Sequence, residues 1–244
     1  MLTDYLGDKN PAGLERLLGE RAGMDEKHHH VYLGDAVNHD LLSQSQIYQF
    51  LRTLPQVMSQ QDLFAKFADR GGSFLAGIQQ ANEPAGGYRI RDVNAYGFSE
   101  CMRSRNAGHL LARGDIVGFA NLMNISQLGD RVAETADPDT NQAKFCQDDV
   151  LSAMASGGRP LSGLAGDYGV STPNVDRLVS ICLSQPDVLG ARMSGVGLGG
   201  MLIVLGRQGF DQTLDEQLHR QYYAPLKRTF QKVRIFPSDG AGFY

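Results

Sequence analysis

The residues of this 244-residue sequence best suited to chemistry are Gly190-Ala191-Arg192-Met193-Ser194-Gly195-Val196-Gly197-Leu198-Gly199-Gly200. Four glycines fall within residues 195–200. Each costs backbone entropy on folding, so the run makes sense where the chain turns with positive φ or comes close to another group. Successive backbone N–H groups in such a turn form a concavity suited to an anion. Arg192 precedes the run and is able to face a phosphate or carboxylate, or simply solvent.

Three readings compete for these glycines. Gly195-x-Gly197-x-x-Gly200 matches a dinucleotide fingerprint letter for letter, which would make the protein an NAD-dependent oxidoreductase. That fold needs a helix directly after the glycines. Met201-Leu202-Ile203-Val204-Leu205 is instead short, apolar and bounded by Gly206, and reads as a buried strand. A Walker loop is excluded, because no Gly-Lys-Ser/Thr follows. A hairpin turn without a ligand is the third reading.

Other reactive side chains carry weaker signals. His28-His29-His30 are adjacent on one backbone and rarely converge on one ion, and no Cys or His partner has the right spacing, so no metal site is expected. Cys101, Cys146 and Cys182 are far apart and odd in number, which argues against a disulfide scaffold or a structural zinc. His109 and His219 fall inside helical patterns. The Ser126 hydroxyl is expected to bond locally.

The elements that position the glycine run are mostly helical. Leu14, Leu17 and Leu18 have helical spacing after the turn signal Asn10-Pro11, and Val31-Tyr32-Leu33 reads as a short strand. Ile47, Phe50, Leu51 and Leu54 form an apolar stripe ending at Pro55; Leu63, Phe64 and Phe67 form a second, stopped by Gly71-Gly72. Asn82–Gly87 is linker-like and divides residues 1–87 from residues 88–244. A helix over 93–112 and another from 116 are joined by Arg113-Gly114-Asp115, a glycine stop followed by a capping aspartate. Residues 136–141 and 156–160 are polar loops, expected to be mobile. Thr172-Pro173 starts a helix that Gln185-Pro186 ends. Then follow a strand at 188–193, the glycine turn, the strand at 201–205, a helix from about 211 to 228 and a strand at 232–236. This order predicts an α+β fold, an antiparallel sheet with helices on one face, preceded by a mostly helical N-terminal segment.

Residues 191–200 also resemble the third signature motif of the GHMP kinases, most of all in its galactokinase version. Gly114-Asp115 with Phe119, Leu122-Met123 and Ser126 is similar to the helical hairpin before that motif. Ser171-Thr172-Pro173 with Asp176 and Leu178-Val179 is similar to the segment leading into it, and Pro237–Gly242 to the family's final glycine-rich stretch. The segment around Leu54-Pro55, Met58, Phe64 and Phe67 loosely resembles the galactokinase-like part of L-arabinokinases. The resemblance implies a ferredoxin-like C-terminal domain of an ATP- and Mg2+-dependent sugar kinase. Ser194, Gly195, Val196, Gly197, Leu198, Gly199 and Gly200 would then flank the nucleotide, and Arg192 and Tyr96 would meet the sugar. Tyr88 lies in a similar position, although packing explains either tyrosine equally.

The family's principal phosphate loop, Pro-x-x-x-Gly-Leu-x-Ser-Ser, does not occur in the sequence. Gly23-Met24-Asp25-Glu26 is faintly similar to the segment bearing the catalytic aspartate, but Lys27-His28-His29-His30 departs from it, so the catalytic base stays unassigned. The chain alone is therefore expected to be inactive, as half of a kinase or as a non-catalytic sugar-binding or interaction module. Its partner would be an N-terminal kinase half or a second copy of itself. Alternatively, residues 1 to about 85 fold over the apolar surface such a half would cover.

Composition agrees with a globular protein and narrows its partners. A net charge of −4 gives no basic excess for nucleic acid. No apolar run approaches the roughly 20 residues of a membrane helix, and no signal peptide is visible, which reads as cytoplasmic.

Overall fold

The structure, a computed structural model, describes residues 1–21, 31–68, 72–132, 146–195, 201–229 and 231–235. The N-terminal part is a set of short helices: α1 (Leu2–Lys9), α2 (Pro11–Glu20), α3 (Leu33–Asn38), α4 (Gln44–Thr53), α5 (Gln60–Phe67) and α6 (Gly72–Gln80). Local chemistry sets their ends. The Asn10 side chain accepts from Gly13 N at the start of α2, where Pro11 has no N–H to leave unsatisfied. Ser43 and Gln46 form a reciprocal capping box on α4, and Ser59 and Asp62 do so on α5.

The long pair that follows is α7 (Ile90–Ala112) and α8 (Ile116–Asp130), antiparallel across the expected turn. Gly114 has φ 72°, and the Asp115 side chain accepts from Gly118 N at 2.8 Å. Beyond lie α9 (Asp148–Ser156), a 3-10 turn at Leu161–Gly163, and α10 (Pro173–Leu183), capped by Thr172. Strands β1 (Val188–Met193) and β2 (Leu202–Gly206) pair antiparallel, with a bulge between Val188 and Gly190. Helix α11 (Phe210–Leu218) continues into a π turn at His219–Tyr223.

Two apolar cores result. One combines Leu6, Leu17, Ile47, Phe50 and Leu51 of the N-terminal helices with Ala95 and Phe98 of α7, Leu151 of α9, and Leu161 and Leu164. Residues on both sides of the Asn82–Gly87 turn therefore share it. Arg91 reinforces the join: its buried guanidinium donates to the carbonyls of Leu54, Arg52 and Cys146 and pairs with Asp148. The second core packs Val175, Val179 and Cys182 of α10 and Leu214 and Leu218 of α11 against Ala191 and Met193. Helices α10 and α11 thus cover one face of the β1–β2 hairpin, while α8 lies along β1.

The α+β class stands, with corrections to its parts. Val31 and Tyr32 are not strand; Leu33 opens α3, with the Asp35 carboxylate accepting from Tyr32 N at 2.7 Å. Residues 232–235 are outside any strand, and Lys232 and Arg234 are instead held by Asp211 and Asp215 of α11. A strand needs a neighbour to satisfy its ladder, and among the described residues the sheet has two strands. Gly72 begins a helix rather than stopping one. The run at 201–205 is a strand but not a buried one, since Met201 and Ile203 are exposed. The 211–228 helix is shorter than expected and ends in the π turn.

Candidate functional site

The glycine run opens as a hairpin. Ser194 N donates to Met201 O at 2.9 Å, closing the ladder of β1 and β2. Gly195 follows with φ 66°, and among the described residues, its chain neighbours aside, no heavy atom lies within 4 Å of the place a Cβ would take. A left-handed glycine is what a tight turn requires. Val196, Gly197, Leu198, Gly199 and Gly200 lie outside the described residues. No helix starts after them; β2 begins at Leu202, which disposes of the dinucleotide reading.

Arg192 and Tyr96, 96 positions apart in sequence, meet at one acid that spacing did not reveal. Asp130, the last residue of α8, is 1% exposed. Arg192 Nη2 is 3.7 Å from Asp130 Oδ2, and its Nη1 is 3.7 Å from Glu100 Oε2 on α7. Arg192 Nε donates to Met193 O at 3.2 Å. Its charge is therefore turned toward α7 and α8 and neutralised there.

Tyr96 forms another wall. Its ring stacks on Tyr168 with centroids 5.2 Å apart and planes 15° from parallel, and the Arg103 guanidinium lies 5.8 Å from its centroid. Burial, then the negative charges of Asp130 and Glu100, push its phenol far above the usual range. Arg103 donates from Nε to Glu100 Oε1 at 2.5 Å and from Nη1 to the carbonyls of Ser162 and Leu164.

Burial pushes the Asp130 carboxyl up to about 6, and Glu100 adds to this, while Tyr96, Arg192 and Arg103 pull the other way. Its place at a helix C-terminus adds the unfavourable end of the helix dipole. That misplacement is the one signal in sequence that could have marked it: an acid closing a helix at Leu128-Gly129-Asp130.

The loop over the cluster is fastened from below. Tyr168 N and Gly169 N donate to Gly129 O at 2.8 and 3.1 Å, and Ser171 N to Asp130 O at 2.9 Å, which satisfies the open carbonyls at the end of α8. Gly166 permits this close approach. It has φ 66°, and a Cβ there would stand 2.6 Å from Tyr96 Cα. Asp167 N donates to Asp92 O, and the Asp167 carboxylate pairs with Arg89.

A recess of about 460 Å³ lies elsewhere, between Asn10, Asp40, Gln46 and Arg105. Tyr88 is also remote, pairing in an isolated bridge with Met58. Asp25 and His28–His30 lie outside the described residues, as do Pro237–Gly242. Among the described residues, no group of three His, Cys, Asp or Glu could hold a metal ion, and no helix is long and apolar enough to cross a membrane.

Comparison with known proteins bears on the part of the chain from α8 to α11. Residues 109–224, from the end of α7 to the π turn, match the model of the GHMP kinases C terminal. A galactokinase of Roseiflexus is 32% identical over 144 residues, 59% of this chain and 28% of the relative. A dog galactokinase is 41% identical over 59 residues, covering 24% and 15%, and a Thermosipho africanus galactokinase 33% identical over 75 residues, covering 30% and 21%. The chain thus matches less than a third of the length of these relatives. No solved structure gives a significant match. Residues 109–224, from the last turn of α7 through α8, α10 and the β1–β2 hairpin to α11, are thus similar to the C-terminal region of GHMP kinases of the galactokinase-like kind.

Proposed function

We propose that this chain supplies the C-terminal part of an ATP-dependent, galactokinase-like sugar kinase, transferring the γ-phosphoryl group of MgATP to a sugar hydroxyl only when joined to an N-terminal ATP-binding half. The observation that carries the reading is the β1–β2 turn. Ser194 closes the ladder and Gly195 turns the chain at positive φ, within the region that matches the kinase family. Phosphoryl transfer depends on positioning and charge stabilisation rather than covalent work by the protein, so both halves contribute.

Residues Ser194–Gly200 would approach the phosphates through backbone N–H groups, and the left-handed turn at Gly195 fits a close approach. MgATP supplies the phosphoryl group and the metal that neutralises it; its main ligands are expected from the other half. Tyr96 and Arg192 act from behind the site. Arg192, engaged by Glu100 and Asp130, steadies the end of β1. The same engagement favours a second reading, a non-catalytic sugar-binding or interaction module with this fold.

Calorimetry with galactose, arabinose and MgATP, together with a phosphorylation assay on the purified chain, separates these. No turnover by the chain alone is expected. Phosphorylation of either sugar by the chain alone overturns the incompleteness, and binding of neither sugar nor MgATP moves the protein to the interaction module.

A further inference from the structure

Strand β1 is bonded on both edges, but only one neighbour is a strand. On one side it pairs with β2. On the other, α8 supplies side-chain amides. Asn124 Nδ2 donates to Leu189 O at 3.0 Å and Asn124 Oδ1 accepts from Ala191 N at 3.1 Å. One turn later, Gln127 Oε1 accepts from Met193 N at 2.7 Å. Residues three apart on a helix share a face, and residues two apart on a strand point their N–H groups to the same edge. The two spacings match, so α8 satisfies an edge that would otherwise present open backbone groups.

Gln127 has a second bond. Its Nε2 donates to Asp176 Oδ1 at 3.3 Å, and Asp176, wholly buried in the first turn of α10, also accepts from Val132 N at 3.1 Å. The Gln127 side chain is itself 2% exposed. A side-chain amide can accept from the strand and donate to the carboxylate at once.

We infer that Gln127 is a positioning residue for the glycine-rich loop: it ties the backbone of Met193, immediately before Ser194 and the loop, to α8 and to the buried Asp176. The loop then leaves β1 from a point held on both sides, by Ser194 N donating to Met201 O across the hairpin and by Gln127 across the edge. The inference rests on the kinase reading only for the purpose of the loop, not for its geometry.

Amide hydrogen exchange on the full chain tests it. Gln127→Met removes both bonds. Gln127→Glu keeps the acceptor for Met193 but sets a second carboxylate against Asp176. Gln127→Glu with Asp176→Asn restores a donor–acceptor pair with its polarity reversed. The Met193 amide is expected to exchange about tenfold faster in each single variant, the scale of one buried hydrogen bond, and to return to within about twofold of the parent in the double variant. The Ala191 amide, held by Asn124, should change less. An unchanged Met193 amide in a folded Gln127→Met, or a double variant no better than Gln127→Glu, overturns the inference. Should Gln127→Met fail to fold, the comparison of Gln127→Glu with the double variant still decides it. A chain that shows this exchange pattern but binds no MgATP supports the positioning role while telling against the kinase reading.

Discussion

Arg192 on β1 and Asp130 at the end of α8 face each other at 3.7 Å, with Asp130 almost wholly buried and Glu100 on the far side of the guanidinium. Arg192, which the family resemblance sets toward a sugar, thereby also ties the strand before the glycine run to the helical hairpin.

Asp130 makes stability depend on pH. Its carboxyl lies at about 6 in the fold, against 3.8 when unperturbed, so the folded state binds the proton more tightly than the unfolded chain. Its contribution is most favourable below pH 4, falls as pH rises from about 4 to 6, and is constant above. The cost at neutral pH is ~3 kcal/mol, from about 1.4 kcal/mol for each unit. Asp130→Asn should flatten that part of the profile, measured as urea unfolding free energy at pH 4, 5, 6 and 7. An unaltered profile would contradict the assignment.

Removing the cation should hurt more than removing both charges. Arg192→Ala leaves Asp130 buried beside Glu100 and is expected to cost about 1–3 kcal/mol at pH 7, in the range of an uncompensated buried polar group. The double variant with Asp130→Asn should recover at least half of that loss. Additive effects in the urea cycle would mean the two side chains are not coupled.

Gly166→Ala is expected to be among the most damaging single changes. It combines a left-handed backbone with a Cβ driven against the backbone of Tyr96. A loss of about 2 kcal/mol or more is expected, with the stack of Tyr168 on Tyr96 opened. Thermal unfolding and tyrosine fluorescence measure the two effects.

Arg91→Met tests how the N-terminal helices are held. The parent guanidinium bonds three carbonyls and Asp148. Its loss should destabilise by about 3 kcal/mol. Exchange should rise in residues 44–54 before it rises in β1; a uniform rise would show that α4 does not depend on Arg91.

Much of the local architecture was legible in sequence because it depends on near neighbours. Thr172-Pro173 started α10, Arg113-Gly114-Asp115 turned the helical hairpin, and Met201–Leu205 announced a strand that excluded the dinucleotide fold. In each case the capping group, the positive-φ glycine or the apolar run lies within a few residues of what it dictates. What failed was of another kind. Val31–Leu33 and 232–235 have strand-like composition, yet a strand exists only where another lies beside it, and Asp35 holds Tyr32 while the α11 carboxylates hold Lys232 and Arg234 instead. The site divides in the same way. Glycine content marked the turn at Ser194–Gly195, a property of the backbone itself. Tertiary packing alone decided that Arg192 meets Asp130 and Glu100 beside Tyr96 and that Gln127 bonds the edge of β1, because those contacts of Arg192 and Gln127 join residues more than 60 positions apart with no periodicity between them.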